Sequence, residues 1–216
     1  MISNIENILL SIKDMVNETN PTMLDDLQSY KDPFRILIST ILSQRAKDEQ
    51  TFRISQLLFS KYSNVDELSQ ASEIELHKIL KPIGFYRVKS KNIKKVANII
   101  KQKFNGVVPE NFDELISLPS VGRKSANCVL VYAFNKLAIP VDTHVHRVSN
   151  RLGLVDTKNP DDTEYKLSEI LDKKFWSDVN SDFIRFGKTI CKPINPNCQV
   201  CKLKDICKWN KLNNFV

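Results

Sequence analysis

Apolar side chains recur along most of the chain every three or four residues, the spacing of one face of an α-helix. In the first segment this face is formed by Ile5, Ile8, Leu9 and Ile12. Strict alternation of apolar and polar residues, which would indicate half-buried strands, is nearly absent. The pattern predicts an all-α protein of about ten helices joined by short loops.

Polar residues mark where several of these helices begin. Asp32 before Pro33 predicts an N-cap followed by proline at the first helical position, which opens a helix over Phe34–Gln44. Asn111 and Asn159 stand at the same position before two later helical patterns. No linker rich in glycine, serine or proline separates these segments, so we expect the helices to pack together closely.

The net charge of +7 changes the picture because a basic protein suits an anionic partner, most commonly nucleic acid. The charge is concentrated: residues 87–103 contain seven basic side chains and no acidic one. A solvated helix face would also look like this, and Ile93 and Val96 do supply an apolar stripe. Both interpretations hold together if the apolar stripe faces inward and the basic face turns toward a phosphate backbone. The basic residues are Arg87, Lys89, Lys91, Lys94, Lys95, Lys101 and Lys103.

The sequence gives no indication of a membrane or an export signal. No apolar run approaches the length that spans a bilayer. The N-terminus lacks a basic region and a small-residue cleavage site, so it is interpreted as an amphipathic helix. We expect an intracellular protein, cytoplasmic or associated with the nucleoid.

A tight turn lies between two helical patterns at residues 117–124. Gly122 permits a backbone conformation that exposes successive N–H groups, and the helix that begins there adds the positive end of its dipole. Such a turn grips a phosphate without reading base sequence. An ordinary helix corner with a glycine at the bend would look the same on Gly122 alone.

Lys124 lies in the first turn of the helix that follows, where a positive charge is disfavoured. A helix N-terminus and burial both lower the pKa of a lysine, and the neutral amine is a nucleophile. Asp142 opens the next helix and is explained most simply as its N-cap. His144 and His146 are two residues apart and point to different helix faces, so we do not expect them to share a metal.

Four cysteines near the C-terminus have the spacing Cys-x6-Cys-x2-Cys-x5-Cys. Their thiolates can converge on one soft metal centre, and the absence of an export signal disfavours disulfides. Spacing alone leaves an iron–sulfur cluster and a zinc ion both open. The fifth cysteine, Cys128, lies in an apolar helix and is predicted to be a small core residue.

Three of these motifs resemble segments of one family. The stretch 118–127 resembles the helix-hairpin-helix of endonuclease III-type DNA glycosylases, and 141–148 is similar to the segment that carries their catalytic aspartate. The cysteine spacing matches the family's 4Fe–4S loop, and weaker similarity occurs at 33–44 and 83–92. Because the motifs follow in the family's order over residues from about 20 to 207, the chain is identified as a member of that family.

The resemblance implies a fold of two helical lobes with a DNA-binding cleft between them. Residues 25–135 would form a six-helix barrel with the helix-hairpin-helix, and residues 1–24 and 136–216 a lobe that carries the cluster. The family's hairpin usually has glycine where this chain has Ser120. If that position needs a positive φ, the serine costs roughly 1 kcal/mol.

The resemblance also implies roles for individual residues. Lys124 corresponds to the lysine nucleophile and Asp142 to the essential carboxylate. Gln44 would enter the space left by a flipped nucleotide, and Phe85 would wedge beside the opposite strand. The remaining expected DNA contacts are Ser120, Gly122, Arg123 and His144, and the expected ligands of a structural 4Fe–4S cluster are Cys191, Cys198, Cys201 and Cys207.

The predicted function is that of a monomeric, bifunctional DNA glycosylase and AP lyase that removes oxidised pyrimidines from damaged double-stranded DNA. Glycosylase action on oxidised guanine is one alternative. A second alternative is a non-catalytic DNA-binding module with a zinc staple. Such a protein would be colourless, and Lys124 and Asp142 would be dispensable for its function. A ferredoxin-like electron carrier would lack DNA affinity, which the basic helix and the hairpin argue against.

Overall fold

The computed structural model describes residues 2–19, 22 and 32–213, and all regular secondary structure in these ranges is helical. The predicted all-α class is therefore confirmed. The chain divides into two compact units. The middle unit comprises Met23–Lys136, and the terminal unit comprises Met1–Thr22 with Leu137–Val216. The predicted domain boundary between residues 24 and 25 lies outside the described residues.

The middle unit is built from helices of very different lengths. In chain order they are α2 (Pro33–Ser43), α3 (Asp48–Lys61), α4 (Val65–Gln70), α5 (Glu73–Leu80), α6 (Tyr86–Lys103), α7 (Phe112–Ile116) and α8 (Arg123–Phe134).

Helix α2 is buried over most of its surface. Eight of its residues are buried, and Ile36, Leu37 and Ile38 are fully inaccessible. It packs against α8, whose residues Ser125–Tyr132 are all buried. Helices that are buried over most of their surface are core elements, so α2 and α8 provide the base for the loops at their ends.

The predicted helix starts are confirmed where the structure describes them. The Asp32 carboxylate accepts hydrogen bonds from the backbone N–H groups of Phe34 and Arg35, at 3.0 and 3.2 Å. The side chains of Asn111 and Asn159 cap α7 and α10 in the same way. Each such cap satisfies N–H groups that have no acceptor within the helix, a contribution of ~1 kcal/mol.

The terminal unit joins the first helix of the chain to the last ones. Its helices are α1 (Ile2–Val16), α9 (Thr143–Leu152), α10 (Pro160–Ile170), α11 (Trp176–Thr189) and α12 (Lys208–Asn213), with short 3₁₀ turns at Lys173–Phe175 and Cys198–Val200. The apolar face predicted for α1 packs into this core, where Ile8, Leu9 and Ile12 are buried with Phe183 and Phe186 of α11. Burying this face is what brings the N-terminal helix to the C-terminal half of the chain.

Within the described ranges, none of the helices combines the length and the apolar character that crossing a bilayer requires.

Candidate functional site

The predicted tight turn lies between α7 and α8, and its strained residue is Ser120. Ser120 adopts a left-handed backbone conformation with φ 63°. Gly122, by contrast, is the N-cap of α8 with φ −94° and ψ −179°, an extended conformation that any residue adopts. The expectation that Gly122 supplies special backbone freedom is therefore wrong. The serine carries the strain, which costs roughly 1–2 kcal/mol for an L-residue.

Two side chains from elsewhere in the middle unit hold Ser120. The Asn92 side chain, on α6, donates from Nδ2 to Ser120 Oγ at 2.6 Å. The Gln44 side chain donates from Nε2 to the Ser120 carbonyl oxygen at 2.7 Å and lies 3.4 Å from Ser125 Oγ. Gln44 is also the C-cap of α2. The structure thus brings together Gln44 and Ser120, two of the predicted DNA contacts.

Lys124 is the second residue of α8, as the sequence predicted, and it is half-buried. Of the two residues beside it in the chain, Arg123 is exposed and Ser125 is buried. The Arg123 guanidinium lies 5.0 Å from the centre of the Phe112 ring, which orients it across the two helices of the hairpin. No acidic residue occupies the first turn of α8, so the positive end of the helix dipole acts on this lysine without a neighbouring carboxylate in that turn.

Phe85 presents an exposed ring at the start of α6, where 61% of its surface is accessible. Its backbone is left-handed with φ 59°, and so is that of Arg45 in the loop after α2, with φ 52°. The Arg45 guanidinium lies 5.7 Å from the centre of the Phe85 ring. Two strained loop residues therefore support each other, and the predicted wedge Phe85 has a cationic neighbour that the sequence did not indicate.

The predicted outward basic face of α6 needs one correction, at Lys89. This lysine is only 5% exposed, and its ammonium donates to the Leu42 carbonyl oxygen near the end of α2 at 2.8 Å. Burial lowers the pKa of Lys89. Lys101 is also engaged, in an ion pair with Asp66 at 2.7 Å. The remaining exposed basic residues of α6 are Arg87, Lys91, Lys95 and Lys103.

Asp142 is the N-cap of α9 in the terminal unit. Its Oδ1 accepts hydrogen bonds from the backbone N–H groups of His144 and Val145, at 2.8 and 2.9 Å. Both bonds end on Oδ1, which leaves Oδ2 for a second partner. The preceding segment is anchored because the buried Asn180 amide donates to the Pro140 carbonyl at 2.7 Å. The carboxylate is thus half-buried and held in one orientation.

The two histidines of α9 contact different elements. His144 Nδ1 lies 3.2 Å from the Arg147 guanidinium and packs so closely against Gly187 that a Cβ there would come within 2.8 Å of it. His146 Nδ1 lies 2.6 Å from Thr163 Oγ1 on α10. His144 is therefore held beside α11, while His146 belongs to the packing of α9 against α10.

The four spaced cysteines line one pocket of the terminal unit. The pocket encloses about 340 Å³ between its lining atoms, open solvent at its mouth included, and all four thiols are half-buried. Burial raises the pKa of the Cys198 and Cys201 thiols. Cys128 is buried within α8 of the middle unit, as predicted.

An arginine of α9 fastens the loop that carries these cysteines. Arg151 donates to the carbonyl oxygens of Lys192 and Pro193, at 2.7 and 2.9 Å, and lies 3.7 Å from Cys191 Sγ. Its guanidinium stacks over the Trp209 ring at 4.3 Å. The helix that Asp142 caps therefore also fixes the cysteine loop.

The geometry of the cysteines bears on what they can hold. Across the part of the chain that the structure describes, no three His, Cys, Asp or Glu side chains are close enough together to hold a single metal ion. A tetrahedral zinc site needs its sulfurs at about 2.3 Å from one point. All four thiols line one pocket, which is the arrangement that a single shared group would need.

Comparison with known proteins decides the family. Residues 38–173 match the model of the HhH-GPD superfamily base excision DNA repair proteins. Endonuclease III of Thermotoga maritima is 47% identical over 178 residues, which cover 82% of this chain and 84% of that protein. The chain belongs to the endonuclease III family. The family predicted from the motifs is thereby confirmed.

Other endonuclease III proteins match over a still larger share of the chain. Endonuclease III of Rickettsia conorii is 35% identical over 202 residues, which cover 94% of this chain and 96% of that protein. The solved structure of a trapped endonuclease III–DNA covalent intermediate superposes with a TM-score of 0.88 at 33% identity, covering 99% of both chains. The roles of individual residues in this endonuclease III family member stay predictions.

Proposed function

We propose that this protein is a bifunctional DNA glycosylase and AP lyase of base excision repair that removes oxidised pyrimidines from double-stranded DNA. Membership of the endonuclease III family supports the reaction class. The observation that carries the proposal is Lys124, a half-buried lysine in the first turn of α8, directly after the hairpin. A lysine at that place is suited to attack an electrophilic sugar carbon once its amine is neutral.

Binding begins with contacts that do not depend on base sequence. The hairpin at Ser120, Gly122 and Arg123 would hold a phosphate at the start of α8, and the exposed basic residues of α6 would add charge. The Ser120 hydroxyl accepts from Asn92, and a hydroxyl that accepts still has its hydrogen to donate. These contacts position the enzyme on DNA while it searches for damage.

The damaged nucleotide then leaves the helical stack, at a cost of a few kcal/mol that is lower for a weakened pair. Gln44 would fill the space it vacates, and Phe85 would press beside the opposite strand. The exposure of the Phe85 ring supports this role. His144 would contact the DNA from the start of α9.

The chemistry follows from a neutral amine and a fixed carboxylate. The Lys124 Nζ forms a bond to C1′ of the sugar as the glycosidic bond breaks, and the base leaves with the electron pair and takes up a proton. Asp142 would stabilise positive charge that develops on the sugar, or carry protons. The C1′–O4′ bond then breaks, O4′ takes its electron pair and a proton, and the sugar opens to an iminium between C1′ and the Lys124 nitrogen. This iminium acidifies the C2′ proton. Its removal expels the 3′ phosphate by β-elimination, which nicks the strand.

The four cysteines are proposed to hold a 4Fe–4S cluster. Their common pocket supports this assignment, as does the Cys-x6-Cys-x2-Cys-x5-Cys spacing, which matches the 4Fe–4S loop of the family. When bound, the cluster would cross-link the loop and give it rigidity. Arg151 would hold the loop from outside, and Lys192 and Lys204 would offer positive charge to the DNA backbone. The other two lysines near the cysteines, Lys202 and Lys208, are ion-paired with Asp14 and Asp156. We further propose that the enzyme works as a monomer inside the cell, at the nucleoid.

A panel of lesion-bearing duplexes tests the proposal. We expect base release and strand cleavage at thymine glycol, with weaker cleavage at 8-oxoguanine, and a brown protein with four irons per chain if the cluster is present. Lys124→Ala should retain DNA binding and lose strand cleavage. Preferred cleavage at 8-oxoguanine would favour the other lesion class. A colourless zinc protein whose variant behaves like wild type would refute the enzyme assignment.

A further inference from the structure

Ser120 occupies a backbone conformation that a serine does not adopt without support. Its φ of 63° lies in the left-handed region, which glycine enters freely and serine does not. Strained residues of this kind persist only where the surrounding structure holds them in place. The contacts of Ser120 should therefore reveal what fixes the hairpin.

Asn92 forms a hydrogen bond to the side chain of Ser120. Its Nδ2 donates to Ser120 Oγ at 2.6 Å, across 28 positions of sequence. Asn92 precedes the fully buried Ile93 on α6, so the amide is mounted on a helix that is anchored in the core. The Oγ atom exists only because the turn carries a serine, and the hydrogen bond couples that side chain to a rigid element.

The second contact is the hydrogen bond from Gln44 Nε2 to the Ser120 carbonyl oxygen, at 2.7 Å, and it would be lost when the protein binds DNA. The proposed function sends the Gln44 side chain into the duplex, which breaks this bond. Of the two side-chain contacts to Ser120 described above, the one from Asn92 would then remain. Its hydrogen bond would matter most in the DNA-bound state.

We propose that Asn92 is a positioning residue for DNA binding, which acts through Ser120 to hold the hairpin in the left-handed turn that grips a phosphate. This inference rests on the proposed function. Asn92 touches the hairpin and has no part in the chemistry at the sugar. Its loss should raise the KM or Kd for DNA and leave kcat at saturating DNA unchanged.

A double-mutant cycle tests the inference with a duplex that carries a non-cleavable abasic-site analogue. One neutral hydrogen bond predicts that Asn92→Ala weakens binding by about 2- to 12-fold. In a Ser120→Gly background the same substitution should have no effect, because glycine holds the turn unaided. Asn98→Ala is the matched control, since this α6 asparagine donates to the Lys94 carbonyl of its own helix.

The outcomes separate this inference from the function on which it rests. An equal loss in both backgrounds, or no loss in wild type, would overturn the role of Asn92. Failure of wild type itself to bind the duplex would count against the proposed function instead.

Hydrogen exchange of the peptide spanning residues 117–125 gives a readout that needs no DNA. To remove the other contact, the measurement uses Gln44→Ala protein. Adding Asn92→Ala should accelerate exchange in this peptide, and adding Ser120→Gly should cancel the acceleration. Unchanged exchange would contradict the inference even if DNA binding failed for another reason.

Discussion

Asp142 has a structural task that the geometry shows and a catalytic task that we propose, and two substitutions separate them. Its Oδ1 caps α9 through two backbone N–H groups, at 2.8 and 2.9 Å. Asp142→Asn keeps an oxygen at this position and removes the negative charge. Asp142→Ala removes the charge and the cap together.

The structure sets the size of each effect. Asparagine and aspartate are about equally good N-caps, whereas alanine costs roughly 0.5–2 kcal/mol. In a chain of 216 residues, a loss of ~1 kcal/mol lowers Tm by about 2–4 °C. Asp142→Ala should therefore melt about 2–4 °C lower, and Asp142→Asn within about 1 °C of wild type. Loss of the charge should slow base release by about 10²- to 10⁴-fold in both variants.

Thermal unfolding and single-turnover base release from a thymine glycol duplex measure the two effects separately. Asn159→Ala is a matched control, because its side chain caps α10 in the same unit. It should lower Tm and leave base release unchanged. Retention of activity by Asp142→Asn would refute the catalytic role, and an equal loss of stability in both Asp142 variants would refute the analysis of the cap.

Three further predictions concern the basic helix, the cysteine pocket and the buried lysine. Lys91→Gln should lower the salt dependence of DNA binding by about one unit of slope, whereas Lys101→Gln, already ion-paired, should not; equal slopes would contradict this. Cys201→Ser should lose iron and visible absorbance, and Cys128→Ala should keep both; retention of iron by Cys201→Ser would exclude that ligand. Because the pKa of Lys89 is lowered by burial, the unfolded state holds more protons between the folded pKa and 10.5. Stability of wild type relative to Lys89→Met should therefore rise as the pH increases from the folded pKa toward 10.5, and parallel denaturation profiles would contradict it.

Local features of the fold were predictable because their causes lie within a few residues of sequence. Asp32, Asn111 and Asn159 each bond to N–H groups two or three positions ahead, so the helix starts could be recognised without tertiary information. The family and its base excision repair function were also predictable, since three motifs with separate chemistry follow one another in the family's order.

Contacts between distant residues were not predictable in the same way. Gln44 and Ser120 are 76 positions apart, and nothing near either one indicates their hydrogen bond. The pairing of Lys101 with Asp66 and the stacking of Arg45 on Phe85 likewise depend on how helices and loops pack. These contacts decide which of the polar residues remain available to DNA.

Lys89 is a case in which the sequence did contain the signal. It precedes Ile93 by four positions and therefore lies on the same helix face as the buried stripe of α6. The prediction placed Lys89 among the outward lysines because of its charge, although its position four residues before Ile93 indicates burial. Ser120 was different, because the sequence raised the question of a positive φ and only the structure answered it.

The central claim is that Lys124 forms a covalent bond to the sugar, and reductive trapping tests it most directly. Wild-type protein is treated with sodium borohydride on a thymine glycol duplex, and the adduct is digested and mapped by mass spectrometry. We predict a single adduct on the peptide that contains Lys124, and none with Lys124→Ala. Attachment to another amine, or an adduct that persists in Lys124→Ala, would contradict the account.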